Sequence, residues 1–123
     1  MLTPKVINCL LNAEAKALAT TGPQGLNVVP ISTIKIENDK IILVDYFFNK
    51  TRENLKTNND VSITGWTDLS GFQIKAKCSY QDSGELFEKT VDWIAKLHSE
   101  RTVIGVVELS PIEVHDISID DKV

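Results

Sequence analysis

The sequence predicts a small, mainly β (α+β) barrel, on three observations. Short stretches alternate apolar and polar residues with a period of two, as half-buried strands do. Clusters of Gly, Asn, Asp and Pro separate those stretches. The stretches number about six or seven, with three helical interruptions, and closure is how so many short strands lose their exposed edges.

In chain order, Thr3 and Pro4 supply an N-cap and a first helical residue, and Val6, Ile7, Leu10 and Leu11 recur at helical spacing. A helix of about two or three turns follows. Lys16 to Thr20 suits a strand, and Thr21 to Gly25 is turn chemistry. Leu26 to Glu37 then alternates as one long second arm of a hairpin, with Val28, Pro30, Ser32, Ile34 and Ile36 on one face. Ser32 and Pro30 interrupt that otherwise apolar stripe, which calls for an explanation.

Asn38-Asp39 makes a tight turn into Ile41 to Val44, an apolar run short enough to be a mid-sheet strand buried on both faces. Asn49 is placed to cap a short helix through Leu55 that stops near Asn58-Asn59. Val61 to Trp66 and Phe72 to Tyr80 form a second hairpin, with Phe72, Ile74, Ala76, Cys78 and Tyr80 on one face. Asp82 has capping-box spacing to Glu85 and begins a longer helix to about His98, its apolar face carrying Leu86, Phe87, Val91, Ile94 and Ala95. Val103 to Leu109 is the last clear strand, and Pro111 punctuates it before Ile112 to Ile117.

The 123 residues are enough for one core, and no linker or repeat divides them, so a single domain spanning 1–123 is expected. A net charge of −4 argues against nucleic acid as the main partner, since that affinity needs a clustered excess of Lys and Arg. No apolar run reaches membrane-spanning length, and no secretory pattern opens the chain, so a cytoplasmic protein without a membrane partner is expected. Cys9 and Cys78 belong to no CxxC pair and read as packed residues. His98 and His115 show no metal-ligand spacing, so no metal is expected. Trp66 and Trp93 are read as core or interface residues.

The junction from Asp45 to Leu55 carries the most chemistry. A buried strand feeds a helix whose first turn presents the Lys50 ammonium, the Thr51 hydroxyl and free N–H groups together, a sound arrangement for a phosphate. The plainer alternative is that Lys50 and Arg52 are solvated side chains at an ordinary helix start. No GxSxG, HExxH or Walker-type pattern points to a hydrolase or nucleotidase.

Taken together, Ala17 to Pro30, Lys50 to Leu55, Gly71 to Ala76, Gly84 to His98 and Ile112 to Ser118 resemble, in order and separation, the FMN-binding split-barrel family related to pyridoxamine-5′-phosphate oxidase. The resemblance implies a split barrel, bound FMN, and a homodimer with flavin sites at the subunit interface. It implies that Lys50 and Thr51 contact the FMN phosphate, and that Val29, Pro30, Ile31 and Ser32 follow the ribityl chain and ring edge. Asp45 to Asn49 would run beneath the flavin, with Phe48 and Asn49 as contacts, and Gln73 would reach the neighbouring subunit's site. The implied function is that of a flavin-dependent oxidoreductase or electron-transfer protein, with an unknown catalytic residue and redox partner. The longer enzymes of that family carry an extra basic substrate-binding set that this chain does not match, so oxidation of pyridoxamine phosphate itself is not expected. A non-catalytic flavin carrier or sensor, a cofactor-free interaction module, and a barrel holding haem or a deazaflavin are the rival readings.

Overall fold

The computed structural model describes residues 1–119, so the last positions of the expected domain lie outside the described residues. Helix α1 spans Pro4–Asn12, and strands β1 (Ala15–Thr20), β2 (Asn27–Pro30), β3 (Ile34–Glu37) and β4 (Lys40–Asp45) follow. Helix α2 is Lys50–Thr57, then come β5 (Asp60–Thr67), β6 (Ser70–Gln81), helix α3 (Glu85–Leu97) and β7 (Gly105–Asp116). All strand pairs are antiparallel in one seven-stranded sheet of order β2-β1-β5-β6-β7-β4-β3.

That order makes the sheet curl. Its two edge strands, β2 and β3, are consecutive in the chain and joined only by Ile31, Ser32 and Thr33. A flat sheet of that size would part its edges by about 29 Å, whereas the link from Pro30 to Ile34 reaches at most about 14 Å. The sheet therefore bends back on itself into a split barrel. Leu18, Ile41, Leu43, Ile63, Ile74, Val107 and Leu109, all fully buried, fill its inside, joined by Leu2, Val6 and Leu10 around α1 and by Leu55 of α2. On the other face Ile42, Val44 and Val106 are buried as well, and α3 packs against β7 with Ile94 buried.

Several local expectations hold for the reasons given. Thr3 Oγ1 accepts the Val6 N–H at 3.3 Å with Pro4 opening the helix. Asn38 and Asp39 both take positive φ, the signature of a two-residue type I′ turn. Ile41 to Val44 is buried on both faces.

Others are corrected. Leu26 to Glu37 is not one hairpin arm: it breaks at Ile31–Thr33, so β2 pairs with β1 and β3 with β4 at opposite ends of the sheet order. Val28 and Pro30 are exposed while Ile34 and Ile36 pack on the core, so the stripe read across them is two surfaces. The run Ile41 to Val44 is not mid-sheet but next to the edge, between β7 and β3, and is buried all the same. Asn49 has φ 55° and makes no side-chain cap. Asp82 does not cap α3 either, because β6 stays paired to Gln81 and Gly84, at φ 94°, makes the abrupt turn into the helix. Pro111 does not divide the last strand: β7 runs through it, and a bulge opposite Lys75/Ala76 absorbs the irregularity.

Candidate functional site

Two adjoining clefts lie where β2 and the linker after it face the β4–α2 junction. The larger, about 580 Å³, is lined by Gln24, Asn27 and Val29 on one side and by Phe47 to Lys50, Arg52 and Glu53 on the other. The smaller, about 210 Å³, is lined by Val29 to Ser32 opposite Val44 and Tyr46 to Phe48. Val29, Phe47 and Phe48 border both, so the two form one continuous trough. Its combined size is within the range of small-molecule sites.

The β4–α2 wall is built around Asp45, which is fully buried. Its Oδ1 accepts the Phe48 N–H at 2.7 Å, and its Oδ2 accepts from Arg52 Nε and from the Tyr80 hydroxyl, each at 2.7 Å. These bonds turn the chain sharply after β4 and hold the Arg52 guanidinium along the trough wall. Burial, followed by the hydrogen bond and negative charge of Asp45, pushes the Tyr80 hydroxyl well above its ordinary range. The hydrogen bond to Asp45 raises Arg52 in turn.

The opposite wall is tied to α2 by amides. Asn27 Nδ2 donates to Thr51 Oγ1 at 2.8 Å. Asn54, fully buried, accepts the Gln24 N–H at 2.9 Å and donates to Gly25 O at 2.9 Å and Thr20 Oγ1 at 3.1 Å. Gly22 must lack a side chain here, since a Cβ would come within 2.8 Å of Asn54 Oδ1.

Of the residues singled out from sequence, Val29, Pro30, Ile31, Ser32, Phe48, Asn49 and Lys50 line the trough together. Phe48 is buried as part of the floor, and the exposed Lys50 forms no ion pair among the described residues. Thr51 and Asp45 stand behind the lining: the Thr51 hydroxyl faces Asn27, and both Asp45 oxygens are engaged within the protein. Gln73 lies on β6 in register with Thr64 and His115, away from both clefts. Sequence reasoning missed Gln24 and Asn27 as lining residues and Asn54 as a tie. Polar residues in and after a Gly-rich turn were the available signal, but which helix they would face is a tertiary fact.

At the far end of the trough Tyr46 donates or accepts a 2.9 Å hydrogen bond with Thr33 and carries Arg101 over its ring at 5.1 Å. Cys9 and Cys78 are half-buried, and burial raises both thiols. No group of three or more His, Cys, Asp or Glu residues converges to hold a metal among the described residues, nor is any described helix long and apolar enough to cross a membrane.

The curled sheet defines a split-barrel protein, and the trough along its linker is a candidate small-molecule site at the strand-to-helix junction. The pyridoxamine 5′-phosphate oxidase family profile matches residues 2–118, and the chain belongs to that family. No curated protein sequence matches it. Among solved structures, tagged HupZ from Group A Streptococcus is similar at 18% identity and TM-score 0.83, covering 96% of this chain and 95% of that one. An FMN-binding protein from Syntrophomonas wolfei is similar at 20% identity and TM-score 0.76, covering 96% and 85%. HutZ, the haem storage protein from Vibrio cholerae, is similar at 17% identity and TM-score 0.72, covering 93% of each. At these identities the likeness is one of fold.

Proposed function

We propose that this chain is an FMN-binding flavoprotein, a cytoplasmic homodimer acting as an oxidoreductase or electron-transfer protein. The observation that carries the reading is the Lys50 ammonium, without an ion-pair partner among the described residues, at the start of α2 and on a trough whose floor is Val29 and Phe48. Arg52 beside it is already neutralised by Asp45, so Lys50 and the helix N-terminus supply the positive potential. A phosphate suits that end, and a flat apolar ring suits the stretch between Val29 to Ser32 and Phe47-Phe48. The residues therefore fit the group.

In this reading Lys50 binds the phosphate, Asn49 and Asn27 offer hydrogen-bonding groups, and Val29, Pro30, Ile31, Ser32 and Phe48 border the ribityl chain and ring. Thr51 acts through Asn27, and Asp45 by fixing Phe48 and Arg52. FMN, when bound, supplies hydride or electron transfer, so the chain's own work is binding, orientation and exclusion of water. Gln73 serves the partner's site. The second copy covers the apolar face around Ala19, Leu26 and Val28, where Leu26 is 89% exposed.

The visible spectrum of purified protein, incubated with FMN and passed through a desalting column, tests the reading. A flavin spectrum that travels with the protein is expected; colourless protein overturns it, and a Soret band would establish haem instead. Turnover with reduced nicotinamide and an acceptor separates an enzyme from a carrier.

A further inference from the structure

We propose that Asn54 is a positioning residue that makes the trough select phosphorylated flavin over riboflavin, an inference that rests on the FMN reading above. Asn54 is on α2 but points away from the trough, into the β1–β2 hairpin, and is fully buried. Its side chain grips the hairpin at three points: the Gln24 N–H, the Gly25 carbonyl and the Thr20 hydroxyl. Gly22 packs against it so closely that no side chain fits between them.

This grip acts on one end of the site. Gln24, which it holds, and Asn27, which Thr51 holds, line the larger cleft opposite Asn49 and Lys50, the phosphate end in the FMN reading. Neither borders the smaller cleft, whose lining begins at Val29 and runs through Ser32. The distance from the hairpin wall to the Lys50 wall is thus set by Asn54 together with the Asn27–Thr51 bond. A charge-assisted contact loses strength steeply when its donors are misplaced, whereas an apolar ring contact at the far end does not depend on that spacing. Loosening the grip should cost the phosphate contact and leave the ring contact alone.

Two substitutions loosen it from opposite sides. Asn54→Asp keeps the acceptor for Gln24 N–H but sets a carboxylate oxygen against the Gly25 carbonyl. Gly22→Ala pushes the hairpin off Asn54 from the other side. Titration of protein with FMN and with riboflavin, followed by flavin fluorescence, should show FMN affinity falling by about tenfold in either variant. Riboflavin affinity should stay within about twofold, as for sites that do not share partners. Loss of both affinities in proportion, or an unchanged ratio in a folded variant, overturns the inference while leaving the FMN reading intact. Wild-type protein that binds neither flavin overturns the FMN reading and this inference with it. A third measurement needs no variant: amide hydrogen exchange at Gln24 in the wild-type chain should slow with FMN and not with riboflavin, and equal slowing by both also overturns it.

Discussion

Asp45 serves three donors at once, a backbone N–H, a guanidinium and a phenol, and no part of it reaches solvent. A carboxylate so placed is stable only while its partners stay, because removing one side of a buried pair strands the other. Asp45→Asn should therefore lower unfolding free energy by about 3 kcal/mol in urea denaturation. Tyr80 adds a pH dependence. Its pKa is raised in the folded protein, first by burial and then by the Asp45 hydrogen bond, so its contribution is complete below the ordinary tyrosine value of 10.0 and is lost as pH climbs towards the raised value. Stability measured from about pH 9 to 12 should fall more steeply for the wild type than for Tyr80→Phe, so that the two curves converge; parallel curves would contradict this. Lys50, by contrast, is exposed and makes no such bonds among the described residues, and the proposed reading turns it toward the ligand. Lys50→Ala should weaken FMN binding about tenfold or more, roughly 1.5–3 kcal/mol, with little change in folding. Unchanged affinity in a fluorescence titration would remove Lys50 from the phosphate site.

The elements explain why these side chains meet. Residues of β4 and β7 pair from Ile41↔Leu109 to Asp45↔Gly105, and β6 lies on the other side of β7, which brings Tyr80 over Gly105 and within reach of Asp45. Gly105 is required there: a Cβ would come within 2.2 Å of the Tyr80 hydroxyl oxygen. Gly105→Ala should destabilise the protein by about 1–3 kcal/mol through overpacking, read as a lower midpoint in urea. It should also reduce the effect of a subsequent Tyr80→Phe, because the two act on one contact. Helix α2 is the second such meeting place, with Leu55 in the core, Asn54 on the hairpin and Lys50 on the trough from one eight-residue segment. Helical periodicity sends those side chains in different directions.

For the whole molecule, the curl of the sheet leaves an apolar surface outside the barrel. Leu26 is 89% and Val28 65% exposed, beside the exposed Ala19. In the proposed dimer a second copy seated there would cover side chains that otherwise face water. The double substitution Leu26→Glu, Val28→Lys should convert a dimer to a monomer in sedimentation velocity, and a wild type that sediments as a monomer would refute the arrangement.

Much of the element order is legible in the residues. Thr3-Pro4, Asn38-Asp39 and the alternation from Phe72 to Ala76 act through local sterics and hydrogen bonds, and the structure bears them out. The trough is half legible: Lys50 and the Val29 to Ser32 stretch stand out, while Gln24, Asn27 and Asn54 look like ordinary loop and helix residues until the hairpin is folded onto α2. The break at Ile31–Thr33 is invisible to periodicity because the even positions read as one stripe on both sides of it, although Val28 and Pro30 are exposed and Ile34 and Ile36 pack on the core. Local chemistry by itself thus determined the helix starts, the tight turns and a cation at the opening of α2. Only the tertiary structure decided that one apparent strand serves two edges of the sheet, and that Asp45 faces inward rather than into the trough. Strand partners and burial depend on contacts between residues far apart in the chain, and no short-range pattern encodes them.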